Sequence, residues 1–181
     1  MTYPSTKSLD HLGLVAGFCK DINLAQQINH TLDDTGERKV SFGHLFVAML
    51  LNGLGFTGRK LHMYSEYFES KPLERLLGEG IAAADINDDA LGRCLDKLYD
   101  KGGSSLYQSI GESVVNHLGL PWHCVHLDST SFHYDGEEKI NNEDFNAISI
   151  TKGYSRDHQP VLVLNQVILN LICENQAGIP V

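Results

Sequence analysis

Basic residues are scarce in this chain: 14 Lys and Arg stand against 23 Asp and Glu in 181 residues, a formal charge of -9. Nucleic-acid affinity comes largely from Lys and Arg neutralising phosphates, so this balance argues against a generic polyanion binder. Cysteine is sparse as well. Cys19, Cys94, Cys124 and Cys173 lie far apart with no C-x-x-C pair, so neither a disulfide framework nor a structural zinc module is suggested and reduced thiols are expected. Long apolar runs are missing. Asn52, Arg59 and Lys60 break up the longest candidate, Val40 to Phe56, short of the roughly 18 to 20 residues that cross a bilayer. Met1 to Asp10 lacks the basic-then-apolar pattern of a secretory signal, so a cytoplasmic protein without membrane contact is expected. Neither a G-x-x-x-x-G-K-[ST] phosphate loop nor a G-x-S-x-G nucleophile elbow occurs.

What is present is a core-forming composition. The hydrophobic fraction is 42%, which excludes wholesale disorder. Up to about Gly119 the apolar residues recur at helical spacing. Leu12, Val15, Ala16 and Cys19 form one set and Ile22, Leu24, Ile28 and Leu32 another, with a polar stop from Thr31 to Gly36. Ser41 is a natural N-cap for a strongly apolar helix carrying Leu45, Phe46, Ala48, Met49, Leu50 and Leu51, ending in the glycines Gly53, Gly55 and Gly58. Leu61 to Phe68 reads as aromatic-rich helical turns whose Tyr64, Tyr67 and Phe68 belong to the core, and Pro72 suits a first helical position. Asn87 caps a helix with Leu91, Leu95 and Leu98 on one stripe and Gly102-Gly103 as its stop. Leu106, Ile110, Val114, Val115 and Leu118 make a last amphipathic helix.

At Pro121 the period changes to alternation. Val125, Leu127 and Ser129 fall on one face of a strand, and Cys124, His126, Asp128 and Thr130 on the other. An acidic loop spans Tyr134 to Asp144, a short strand is expected over Phe145 to Thr151 and a long one over Val161 to Cys173. A turn at Glu174 to Gly178 leads to a further strand starting at Ile179. The fold class is therefore α+β, with an all-helical domain over 1-120 and strands over 121-181.

Asp128 is the residue on which chemistry turns. A carboxylate in an apolar strand is either exposed, bonded to Thr130 or His126, or placed by a rigid strand as a metal ligand. Spacing alone favours the exposed alternative. A zinc site on Cys124, His126 and Asp128 is too extended, because positions i to i+4 of a strand span about 13 Å; it needs help from His133 or His158. A second cluster, Gly153 to His158, places Arg156 and the preceding Lys152 in an acidic setting. There Tyr154 is able to stack on a base and Arg156 to hold a phosphate, and the alternative is a solvated loop with an Arg156-Asp157 ion pair.

The order of five segments carries a resemblance: Leu9 to Gly17, Leu50 to Phe56, Asn87-Asp88-Asp89 with Leu91-Gly92-Arg93, Leu127 to Phe132, and Gly153 to His158. Together they resemble the N-terminal portion of bacterial insertion-sequence transposases of the DDE class, in the branch that begins with a helical domain of unknown function. The resemblance implies a ribonuclease H-like core in which three acidic residues bind two Mg2+ or Mn2+ ions for cutting and joining transposon-end DNA. It makes Asp128 the first catalytic and metal-binding acid. It places Arg156 and His158 near the metal site or DNA, and with Lys152 and Tyr154 of the same cluster they are the expected DNA-binding residues. The other two acids are expected downstream of the third strand, so the core over 121-181 is expected to be incomplete. After His158 the sequence departs from the family, with about two extra apolar residues between Pro160 and Gln166 and no acidic one. The expected properties are no cleavage by this chain alone and weak DNA binding. The alternative is a helical module that pairs with itself or with a full-length transposase.

Overall fold

A computed structural model of the chain describes residues 6-35, 37-55, 59-120, 125-134, 150-154, 163-174 and 177-179. Among the described residues seven α-helices precede a three-stranded antiparallel sheet, an α+β architecture. The chain divides into two compact units, Met1–Leu106 and Tyr107–Val181.

In the first unit, α1 (Leu12–Asp21), α2 (Leu24–Thr31) and α3 (Phe42–Gly53) follow the apolar spacing. Asn23 separates α1 from α2 in a left-handed conformation at φ 54°, which asparagine tolerates, and Asp33 at φ 52° ends α2 in the same way. The unit's core holds Leu12, Ile28, Leu45, Ala48, Leu51 and Phe68. Gly43 lies where α2 and α3 approach most closely. A Cβ there would come within 2.8 Å of Ala25 Cα and still closer to its carbonyl, so only glycine fits.

All four donors at the start of α3 are satisfied. Phe42 N donates to Asp34 Oδ2 at 2.7 Å, Gly43 N to Asn29 Oδ1 at 2.6 Å, His44 N to Ser41 Oγ at 3.3 Å and Leu45 N to the Ser41 carbonyl at 3.0 Å. Three separate segments thus fix the central helix at its first turn. Its far end is held by Asn52, which is buried. The Asn52 amide donates to the Arg59 carbonyl at 3.1 Å and the Tyr64 hydroxyl at 3.0 Å, and accepts from Arg59 N at 3.0 Å.

A 3-10 turn at Leu61–Met63 leads into α4 (Tyr64–Glu69), and α5 (Leu73–Leu76) follows. Pro72 is the N-cap of α5 rather than its first helical residue. After a second 3-10 turn at Ala83–Asp85, Asn87 caps α6 (Asp88–Lys101) by accepting from Ala90 N at 2.9 Å. Leu91 and Cys94 form the buried stripe of α6 while Leu95 stands exposed, because the buried arc centres nearer Cys94 than the leucine spacing implied. Gly102 at φ 88° breaks the chain into α7 (Gly103–Leu118), which ends on Gly119 at φ 64° with Leu120 N returning to the Val115 carbonyl.

In the second unit the strands are β1 (Val125–Tyr134), β2 (Thr151–Tyr154) and β3 (Val163–Glu174), in the order β1-β3-β2. β1 pairs with β3 along its whole length, from Val125 opposite Glu174 to Tyr134 opposite Asn165. β2 pairs only with Val163 to Gln166 of β3. The short strand thus begins at Thr151, where the expected Phe145 to Thr151 segment ends; residues 145-149 lie outside the described residues.

Candidate functional site

Antiparallel pairing fixes which residues share a face. His126, Asp128 and Thr130 of β1 lie with Cys173, Leu171 and Leu169 of β3 on one side, and Leu127 and Ser129 with Ile172 and Asn170 on the other. Asp128 is exposed and its Oδ1 accepts from Ser129 N at 2.8 Å; across the sheet Ser129 Oγ meets Asn170 Oδ1 at 2.8 Å. Glu174 is the only acid on β3. It is buried on the opposite face from Asp128, where its Oε2 accepts from Ala177 N at 2.8 Å and closes the turn that follows the strand.

Lys152 pairs with Asn165 and so shares the face of Asp128, yet Asn165 lies six residues along β3 from Leu171, about 20 Å at strand rise. The sheet does not bring Lys152 to Asp128. Tyr154 pairs with Val163 at the end of the ladder, and Arg156 and His158 lie outside the described residues, as does Cys124. Among the described residues no group of three His, Cys, Asp or Glu side chains is arranged to hold a metal ion. No helix among them is long and apolar enough to cross a membrane.

Two of the clefts in the helical unit, neither anticipated from sequence, bring titratable side chains of separate elements together. One, of about 290 Å³, is lined by Cys19, Lys20, Asn23, Gln26, His44 and Leu76 among others. Its histidine has a defined tautomer. Ser41 Oγ already accepts from Asn29 Nδ2 at 3.1 Å and from His44 N, so its own proton goes to His44 Nδ1 at 2.7 Å and the neutral ring carries its hydrogen on Nε2. Burial, and next the nearby Lys20 ammonium, hold the His44 pKa below its ordinary value.

The other cleft, of about 220 Å³, gathers Arg38, Lys39 and Arg93 with Asp85 and Asn87. Arg38 stacks over the Phe42 ring at 4.1 Å, and the Phe42 carbonyl accepts from Cys94 Sγ at 3.5 Å, which ties the Arg38 segment to α6. Burial is the main reason the Cys94 thiol is pushed up to about 11, so it is a packing group. The signal available in sequence was the spacing of Arg93, Lys97 and Lys101 at i, i+4 and i+8.

No curated protein and no solved structure matches the chain. The family model described as a domain of unknown function, DUF4277, matches residues 4–112. That stretch takes in every helix from α1 to α6 and ends within α7. On that match, which covers more than half of its length, the chain belongs to the DUF4277 family.

Proposed function

We propose that this chain is the opening part of a DDE-class insertion-sequence transposase, acting in the cytoplasm on transposon-end DNA, and that by itself it neither cuts nor joins strands. The observation that supports the reading is Asp128 in the middle of a ten-residue strand paired along its whole length, behind a helical domain of unknown function. A strand paired in this way fixes a carboxylate more rigidly than a loop does. The residues described do not make up the two-metal site that the resemblance implies. The neighbours of Asp128 on its face are His126, Thr130, Leu171 and Cys173, with no second carboxylate among them. No metal-dependent step is therefore assigned to these residues.

Incubating the chain with magnesium or manganese and DNA carrying the cognate ends tests the inactivity. The expected result is no nicking; robust turnover that disappears in Asp128→Ala would overturn it. Reading the DNA beyond the codon for Val181 tests the ancestry. A continuation supplying two further acids on the following strands supports it, and unrelated sequence counts against it.

A second reading, a module that pairs with a full-length transposase, is favoured by one observation. The edge of β1 away from β3 has no partner strand among the described residues, and such an edge invites pairing. Sedimentation as a monomer at high concentration, with no capture of the full-length enzyme, removes that support.

A further inference from the structure

The first unit has a strip of cations that the chemistry of Asp128 leaves unused. Arg38 and Lys39 come from the segment before α3, and Arg93 from α6, and all three line one cleft. On α6, Lys97 and Lys101 continue from Arg93 at four-residue intervals, on the stripe that Ala90, also in the cleft wall, begins. Each interval advances about 6 Å, so Arg93 to Lys101 spans about 12 Å. That is about the axial length of three to four phosphates of one DNA strand. Arg93, Lys97 and Lys101 are exposed and take part in no ion pair among the described residues.

Two carboxylates near the cleft are held by its own cations and by backbone donors. Asp34 has its side chain 1% exposed, lies 3.9 Å from Arg38 Nε and caps α3. Asp85 accepts from Lys39 Nζ at 2.8 Å and from Ala82 N at 3.0 Å. Arg38 and Lys39 are thus the partners of these two carboxylates, and Arg93, Lys97 and Lys101 are the cations of the strip that carry no ion pair among the described residues. Asp89, Asp96 and Asp100 occupy the adjoining stripe of α6, so a polyanion is admitted only from the side of Arg38 and Lys39.

We propose that Arg38, Lys39, Arg93, Lys97 and Lys101 form a phosphate-tracking strip by which the helical unit holds the backbone of duplex DNA, independent of base sequence. The strip rests on the reading of this chain as a DNA-handling protein and gives that reading a contact surface outside the sheet. Because the chain is acidic overall, binding is confined to the strip and steeply dependent on salt.

The test is titration of the full chain, in EDTA, into a fluorescent 20-base-pair duplex of arbitrary sequence between 50 and 200 mM salt (roughly the range over which phosphate contacts are lost). The triple variant Arg93→Gln, Lys97→Gln, Lys101→Gln changes only exposed groups. A second triple, Lys7→Gln, Arg59→Gln, Lys60→Gln, makes the same charge change elsewhere. The strip variant is expected to lose about tenfold or more in affinity and about two to three units of the salt slope, with the second variant near wild type. Equal loss in both variants, an unaltered strip variant, or no binding by the wild type at 50 mM salt would each overturn the proposal. Polyglutamate competing as well as DNA, at equal charge, would also overturn it, by pointing to an acidic protein partner. With EDTA present no metal chemistry contributes. A failed strip therefore leaves the Asp128 reading intact, and absent downstream acids leave the measured DNA binding intact.

Discussion

Single side chains decide more in this molecule than its composition suggests. Ser41 serves two donors and one acceptor at the start of α3. Ser41→Ala is expected to cost about 1 kcal/mol in urea unfolding, the ordinary price of a lost N-cap. His44 adds a pH dependence. Its folded pKa lies below the ordinary 6.5, so the unfolded chain takes up protons first. The stabilisation conferred by the neutral ring is complete above about 6.5 and is lost as pH falls towards the folded pKa. The unfolding midpoint of the wild type should therefore drop between neutral and mildly acidic pH. His44→Asn, which keeps an acceptor near Ser41 Oγ and does not titrate, should lack that component of the drop. At the other end of α3, Asn52→Leu strands both backbone groups of Arg59 and the Tyr64 hydroxyl. A loss of about 2–4 kcal/mol is expected, read from the same denaturation curves.

At the scale of elements, what was legible in the sequence is what is decided locally. Ser41 and Asn87 cap the helices they were expected to cap, and Tyr64 and Phe68 are buried as their spacing implied. The strand period from Val125 correctly marks β1. Elements fixed by distant partners were not legible. The order β1-β3-β2 depends on which edge of β3 receives Thr151 to Tyr154, and no local pattern encodes that choice. The basic cleft needs Phe42 against Cys94, a contact across 52 positions. Within the candidate site, the face of Asp128 followed from alternation, whereas the separation of Lys152 from it followed only from register. Two glycines make the packing testable. Gly43→Ala should force α2 from α3 and cost about 1–3 kcal/mol or more, because the obstructing atoms are backbone. Gly92→Ala, with open space at its Cβ in the middle of α6, should instead stabilise by about 0.5–1 kcal/mol. Thermal melts of the two variants should shift in opposite directions.

For the whole molecule, the charge of -9 is compatible with a DNA-handling role only if cations are gathered in one place. Residues 1-120 hold 11 of the 14 Lys and Arg, five of them in the strip on the helical unit, while 121-181 hold 3 basic against 8 acidic residues. The proposed DNA contact and the proposed catalytic carboxylate thereby fall in different units. The pairing of β1 with β3 also bears on how the chain acquires its structure. Its closest partners in sequence, Tyr134 and Asn165, are 31 positions apart, and Val125 and Glu174 are 49 apart. By contrast, α1 meets α2 across a two-residue link and α2 meets α3 across ten. Closing long loops before any ladder forms is slow, whereas neighbouring helices collapse early. During refolding, or as the chain leaves the ribosome, amide protection should therefore appear first in α1 to α3. The ladder between β1 and β3 should acquire it last, so that the carboxylate at Asp128 is the final part of the molecule to find its place.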